Sequence, residues 1–348
     1  MGRLRLGVPL LCLLLTVLLV PGCSSGPAGL AFTWPVASTE ATVAAPADSL
    51  RYPLTGQPMP PGTKYPISPA CVKVANSGLA SAYAGVSDAD VVYETAGSAT
   101  GTQLTCLFQS TRPGRVGPLT GAGMSDLWVL PQYGAALFST GTTGTLAASV
   151  SRAGLLDLSR GTKASGSAYK DVRSPRSSAG TYLTGAAAYA EALAVGSKIA
   201  SEPARLRFSA TIGSTPSPTR RVSVPFSTTQ VVEWIYDPAS HAYMRSQGGH
   251  AQRDARTGAR VLATNVVVMW VRYTSLDSDI AGGGGFDVTL GGSGQTSVFR
   301  GGQRLDGRWK ADGQSPPTFT AEDGSAIRLA PGRTWIEAIP LSANITMR

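Results

Sequence analysis

The chain has 348 residues, a formal net charge of +9, 15% charged residues, two histidines and four cysteines. That length is enough for about two domains. The lysines and arginines are scattered singly rather than clustered, which argues against a nucleic-acid partner, and no spacing of potential ligands supplies a metal set or a cofactor loop.

Arg3 and Arg5 precede an apolar run, Leu10 to Val20, which ends in Pro21-Gly22-Cys23. A charged start, a short apolar stretch and small residues at its end describe a secretory signal over 1–22. The run is shorter than the ~20 apolar residues that span a bilayer as a helix. Cys23, placed directly after Val20-Pro21-Gly22, resembles the acylated cysteine of a bacterial lipobox, although Pro21 departs from the small residue usual there. A lipid on Cys23 would hold the mature chain on the outer face of the cytoplasmic membrane. Loss of Arg3 and Arg5 with the signal lowers the formal charge to +7. A balance of that size attracts anionic head groups or acidic wall polymers over about one Debye length. Residues 23–52 are rich in Ala, Pro, Ser and Thr with little periodicity, and are expected to form a disordered tether with an end-to-end distance of about 30 Å. With Cys12 removed and Cys23 acylated, Cys71 and Cys106 remain in an oxidising location, and a Cys71–Cys106 disulfide is expected.

The fold class read from the remaining pattern is α+β: a mixed α/β layer domain over 53–204, followed by an all-β, sandwich-like or barrel-like domain over 205–345. In the first part, strands are expected at Ala70–Ala75, Val91–Glu94, Leu104–Phe108 and Ala135–Ser139. Helices are expected at Thr142–Ala153 and Thr184–Val195, each opening on Thr and ending at a glycine. The second part shows only short β-prone runs, from Arg221–Val224 to Trp335–Ile339, with Gly, Asp-Gly and Pro-Gly turns between the later ones. Trp234, Trp270, Trp309 and Trp335 fall in these strands, where core packing is the expected role.

Few constellations suggest chemistry. Ser167-Ala168-Tyr169-Lys170 matches the S-x-x-K pattern of penicillin-binding enzymes, but the companion S-D-N is missing. Asp277-Ser278-Asp279 faintly suggests a calcium loop, yet Val288 stands where the bidentate Glu belongs, so it reads as a turn. Asp90 and Glu94 flank Val91-Val92-Tyr93; on a strand they share a face about 7 Å apart, a geometry compatible with acid–base work. A solvated strand end or a capping Asp accounts for them equally well.

In order and spacing, several short motifs resemble the YerB-like family of bacterial lipoproteins. They are Pro53-Leu54-Thr55-Gly56, Ser87-x-Ala89-Asp90-Val91-Val92-Tyr93-Glu94, Phe108-Gln109-Ser110 and Gly117-Pro118. Further on come Val232-Glu233-Trp234-x-Tyr236-Asp237, Tyr243-x-Arg245, Asp254-x-x-Thr257-Gly258, Asn265-Val266-Val267-Val268, Gly307-x-Trp309-Lys310 and Pro331-Gly332-Arg333-Thr334-Trp335-Ile336. The resemblance covers about Pro53 to Pro340 and implies a domain of unknown function with an N-terminal α/β part and a C-terminal β part. Where the family tends to carry Arg after the Thr that begins the third strand, this chain has Gln103. Its Gly-Pro-x-Arg-Ser-x-Arg segment is here Gly117-Pro118-Leu119-Thr120-Gly121-Ala122-Gly123. Arginine suits anion capture, so any anion site near Glu94 is expected to be altered. The β domain keeps its pattern better, with Asp254, Asn265, Arg333 and Trp335 as candidate binding residues. The expected function is a membrane-anchored binding or scaffold protein of the cell envelope, with an envelope protein or wall polymer as partner. The alternatives are a wall-directed hydrolase or transferase using Asp90 and Glu94, and capture of a small ligand in an interdomain cleft with Arg333 and Trp335 at its rim.

Overall fold

Val266, Val267, Val268 and Met269 are all buried although successive residues of a strand face opposite ways. An unbroken apolar run of this kind belongs to a strand covered on both faces, and Asn265–Leu276 is the middle of a twelve-stranded sheet. The computed structural model describes residues 50–63, 69–77, 83–98, 101–142, 144–162, 168–173, 180–185, 187–188, 205–213, 216–276 and 285–348. Outside them lie Cys23, the expected tether as far as residue 49, Ser167, the Asp277–Asp279 turn and most of the expected Thr184–Val195 helix.

Thr334–Pro340 runs parallel to Asn265–Leu276 on one side and parallel to Val91–Ser98 on the other, pairing Val267 with Ile336 and Glu94 with Glu337. The sheet continues antiparallel through Gly101–Phe108 and Ala70–Ser77, and ends on Ala136–Phe138. In the other direction it passes through Gly292–Arg300, Gln303–Ala311, Thr318–Ala321 and Ala326–Ile327. One sheet therefore contains strands from both halves of the chain. Strands dominate the described residues, and the sheets are mixed.

Each face of the sheet has its own cover. On one, Val72, Val92, Val266 and Val268 meet Val222, Val224, Val232, Trp234 and Tyr243 of a six-stranded antiparallel sheet. Its longer strands are Arg221–Pro225, Val231–Asp237 and Ala242–Gln247. This is sheet-on-sheet packing, with alternate residues interdigitating. On the other, Cys71, Val91, Tyr93, Val267 and Met269 meet Val129, Leu130 and Tyr133 of the helix Asp126–Tyr133. That helix was not expected from the sequence: it is short, contains Pro131, and ends on Gly134 in the left-handed conformation. The expected helix near Thr142 is found as Gly144–Arg152.

The expected Cys71–Cys106 disulfide does not form; both cysteines are free and buried. Register is the reason. Cys71 pairs with Leu107 and Val72 with Cys106, so the two thiols sit one step out of phase and point to opposite faces of the sheet.

Candidate functional site

The alternation of Ala242–Gln247 turns Tyr243, Arg245 and Gln247 inward from the small sheet, and that of Val91–Ser98 turns Val92 and Glu94 toward them. Arg245 and Glu94 are both fully buried. Arg245 Nη2 donates to Glu94 Oε1 at 2.8 Å and to Oε2 at 2.7 Å. Glu94 also accepts from Asn76 Nδ2 at 3.0 Å, Thr102 Oγ1 at 2.6 Å and Trp335 Nε1 at 3.1 Å. The guanidinium carbon of Arg245 lies 5.0 Å from the Trp335 ring centroid and 5.9 Å from that of Trp234. Cation–π attraction of this kind grows where water is excluded.

Gln247 Oε1 gathers three donors at 3.0 Å, from Asn76, Arg245 and Gln252, and Gln252 in turn accepts a short hydrogen bond from the Tyr83 hydroxyl. Arg245 Nη1 reaches that hydroxyl at 3.5 Å. Glu337, beside Glu94 on the neighbouring parallel strand, accepts from Trp234 Nε1 at 2.7 Å. Burial, then the charge of Glu94, push the Glu337 carboxyl well above the usual carboxylate range. Burial opposes the charge of Arg245 most strongly, but Glu94, Tyr83 and Glu337 around it, led by Glu94, together outweigh burial and its pKa is raised. With Glu337 protonated, the cluster holds one cation and one anion, which is what a dry interior tolerates. Arg245 Nε and Asn76 Oδ1 have no hydrogen-bond partner among the described residues.

A second buried pair lies on the opposite face of the same sheet. Lys73 Nζ donates to Asp126 Oδ1 at 2.9 Å and to Thr105 Oγ1 at 2.7 Å, while Asp126 Oδ2 accepts from the Gly123 amide at 2.7 Å. Asp126 is the first residue of its helix, where a negative charge also meets the helix dipole favourably.

Asp90 stands immediately before the strand Val91–Ser98 and Glu94 within it, and each has its own partners. Asp90, 1% exposed, accepts from the backbone of Gln109 at 2.6 Å and of Ser110 at 2.7 Å, and from the Ser110 hydroxyl. Burial raises its pKa while these hydrogen bonds, and more weakly the charge of Arg333, work the other way. Asp254 closes a turn, accepting from the amides of Arg256 at 2.9 Å and Ser87 at 3.3 Å. Asn265 ties down the loop before Thr334–Pro340, exchanging hydrogen bonds with the backbone of Ala330 at 2.7 and 2.9 Å. Trp335 is 2% exposed, inside the Glu94 cluster rather than at a rim, and Arg333 is half-buried beside Asp90. Trp234 and Trp309 are core residues, and Trp270 is half-buried with its indole nitrogen on the Ala343 carbonyl at 2.8 Å. The positions of Gln103 and Gly123, where the family pattern has arginine, are neighbours: a Cβ on Gly123 would lie 3.6 Å from Gln103 Oε1. Arg245 was legible only as part of Tyr243-x-Arg245; nothing in the sequence pairs it with Glu94, 151 residues away.

Two sheets sharing a buried ion pair, with a cover helix held by another, define a two-part β-rich body of the YerB-like family, and the chain belongs to that family. Residues 54–196 match the domain described as "Protein of unknown function (DUF3048) N-terminal domain", and 222–336 match its C-terminal counterpart. A curated relative, "Putative lipoprotein YerB" of Bacillus subtilis (strain 168), is 26% identical over 310 residues, spanning 84% of this chain and 87% of that protein. The crystal structure of the YerB protein from Bacillus subtilis shares the fold, with a TM-score of 0.73 at 24% identity over 85% of this chain and 99% of that one.

Proposed function

We propose that this chain is a lipid-anchored extracytoplasmic protein that binds a partner in the cell envelope, an envelope protein or a wall polymer, rather than acting as a catalyst. The observation that carries the reading is the commitment of both candidate carboxylates. Glu94 is fully buried against Arg245, Asn76, Thr102 and Trp335, and Asp90 is held by Gln109 and Ser110. A general acid or base must come within hydrogen-bond reach of a substrate proton, and neither carboxylate is presented to solvent. The anchor is supported by Cys23 in its signal context and by the name of the relative as a lipoprotein.

Fractionation of cells carrying Cys23→Ala tests the anchor. The variant should move to the soluble fraction and lose lipid labelling; persistent labelled protein in the membrane fraction would refute it. Crosslinking in intact cells, followed by pull-down of the wild-type chain, tests the binding role. Enrichment of an envelope protein, or retention on purified wall, is expected; the absence of both would defeat the reading.

A further inference from the structure

Arg253 and Arg260 face each other directly across an antiparallel pairing at the base of the Asp254–Gly258 turn. Their neighbours Gln252 and Val261 are buried, so alternation puts both arginines on the outer face; Arg253 is exposed and Arg260 half-buried. Side chains directly opposite in this way start about 5 Å apart at Cβ, where like charges are unfavourable. Each guanidinium is partly fixed. Arg253 Nη1 donates to the Gly258 carbonyl at 2.9 Å, and Arg260 Nη2 donates to the Arg245 carbonyl at 2.9 Å and approaches Ser246 Oγ at 3.5 Å.

The acids nearby are engaged elsewhere. Asp254 turns inward to the amides of Ser87 and Arg256, and Asp88 pairs with Arg256. Glu233, across from Ser246 in register, takes the Ser223 hydroxyl at 3.1 Å and faces Arg221 at 3.8 Å. Neither Arg253 nor Arg260 has an ion-pair partner among the described residues, and Arg260 Nε has no hydrogen-bond partner there. Burial and the charge of Arg253 both lower the pKa of Arg260.

We propose that Arg253 and Arg260, with the Ser246 hydroxyl beside Arg260, form an oxyanion site that takes a phosphate group. Two opposed cations whose remaining N–H donors lack acid partners are relieved by one ligand that accepts from both. The two coplanar oxygens of a carboxylate are satisfied by a single guanidinium fork. A tetrahedral phosphate has oxygens enough for a second fork and a neighbouring hydroxyl. This site goes beyond the anchoring and partner-binding reading and does not depend on it, because it needs no lipid on Cys23.

Calorimetric titration of the full chain carrying Cys23→Ser with inorganic phosphate, at constant ionic strength against chloride, tests the site. Saturable binding is expected for phosphate and not for chloride. Arg253→Gln and Arg260→Lys, the second keeping charge but losing the fork, should each weaken it about tenfold or more. Arg308→Gln, an exposed substitution on another strand, should leave it unchanged. Arg253→Gln should also raise the ligand-free melting temperature slightly and abolish the further rise that phosphate gives the parent. Competition by phosphatidylglycerol vesicles or by poly(glycerol phosphate) would assign the phosphate to a lipid head group or to a wall polymer; displacement by neither, with the arginine dependence intact, would assign it to free phosphate. No saturable phosphate binding, or binding indifferent to both arginine substitutions, overturns the proposal.

Discussion

Glu94 and Glu337 are partners in register on adjacent strands, yet their surroundings differ. Glu94 receives the guanidinium and three further donors, whereas Glu337 has one indole N–H and a neighbouring negative charge. An unfolded chain ionises Glu337 near the ordinary value of 4.5, while the folded chain keeps the proton to a higher pH. The stability contributed by that proton is therefore complete below about pH 4.5 and is lost as pH rises toward the folded value. Glu337→Gln has no such titration, so the urea midpoint of the variant should gain on that of the parent as pH rises above about 4.5; parallel curves would contradict a protonated Glu337. Glu94→Gln should behave differently at every pH. It strands a buried guanidinium and is expected to cost ~3–5 kcal/mol, with less than additive loss when combined with Arg245→Met. The free thiols give a further outcome at this scale. Burial raises the pKa of both Cys71 and Cys106, so peptide mapping after iodoacetamide treatment should find them unmodified in the native chain and modified after denaturation. Modification of either in the native chain at the rate of a free peptide thiol would contradict that burial.

At the scale of elements, strands with a strong apolar pattern were legible in the sequence. Val91–Glu94, Leu104–Phe108 and Asn265–Tyr273 were all expected, and each lies within an observed strand. What alternation cannot supply is register, and the misassigned disulfide is a register error: both cysteines sit in strands, on adjacent partners, and one step out of phase separates them. The Asp126–Tyr133 helix was hidden for another reason. Pro131 argues against a helix locally, and the element is fixed instead by tertiary contacts, Val129 and Leu130 in the core and Asp126 on Lys73. Lys73, in the middle of an apolar strand, gave no hint of its partner 53 residues away. Lys73→Met should leave Asp126 buried without its cation and destabilise by ~3–5 kcal/mol, whereas Lys73→Met with Asp126→Leu should recover much of that loss. A double variant as unstable as the sum of the singles, measured by chemical denaturation, would mean that the pair does not act as a unit.

At the scale of the molecule, the two family domains are not independent in their hydrogen bonding. Thr334–Pro340, near the C-terminal end, is inserted between Asn265–Leu276 and Val91–Ser98, so the N-terminal strand Val91–Ser98 has one neighbour from each half of the chain. The Arg245–Glu94 pair joins the same halves on one face of the sheet. A fragment ending after residue 196 would lose the Thr334–Pro340 partner, expose the edge of Val91–Ser98, uncover Val92 and leave Glu94 without its guanidinium. An open apolar strand edge invites pairing with other copies, and an unpaired buried charge disfavours the folded state. Residues 45–348 form one compact unit, so the chain should unfold in a single transition, coincident by tryptophan fluorescence and far-ultraviolet dichroism, and the 54–196 fragment should be aggregated or unfolded when expressed alone. Co-expression with a fragment covering 205–348 should rescue it as a soluble complex, because that piece restores both the missing strand and Arg245. A 54–196 fragment that is monomeric, cooperative in unfolding and as stable as the parent would show that the shared sheet contributes little to holding either half together.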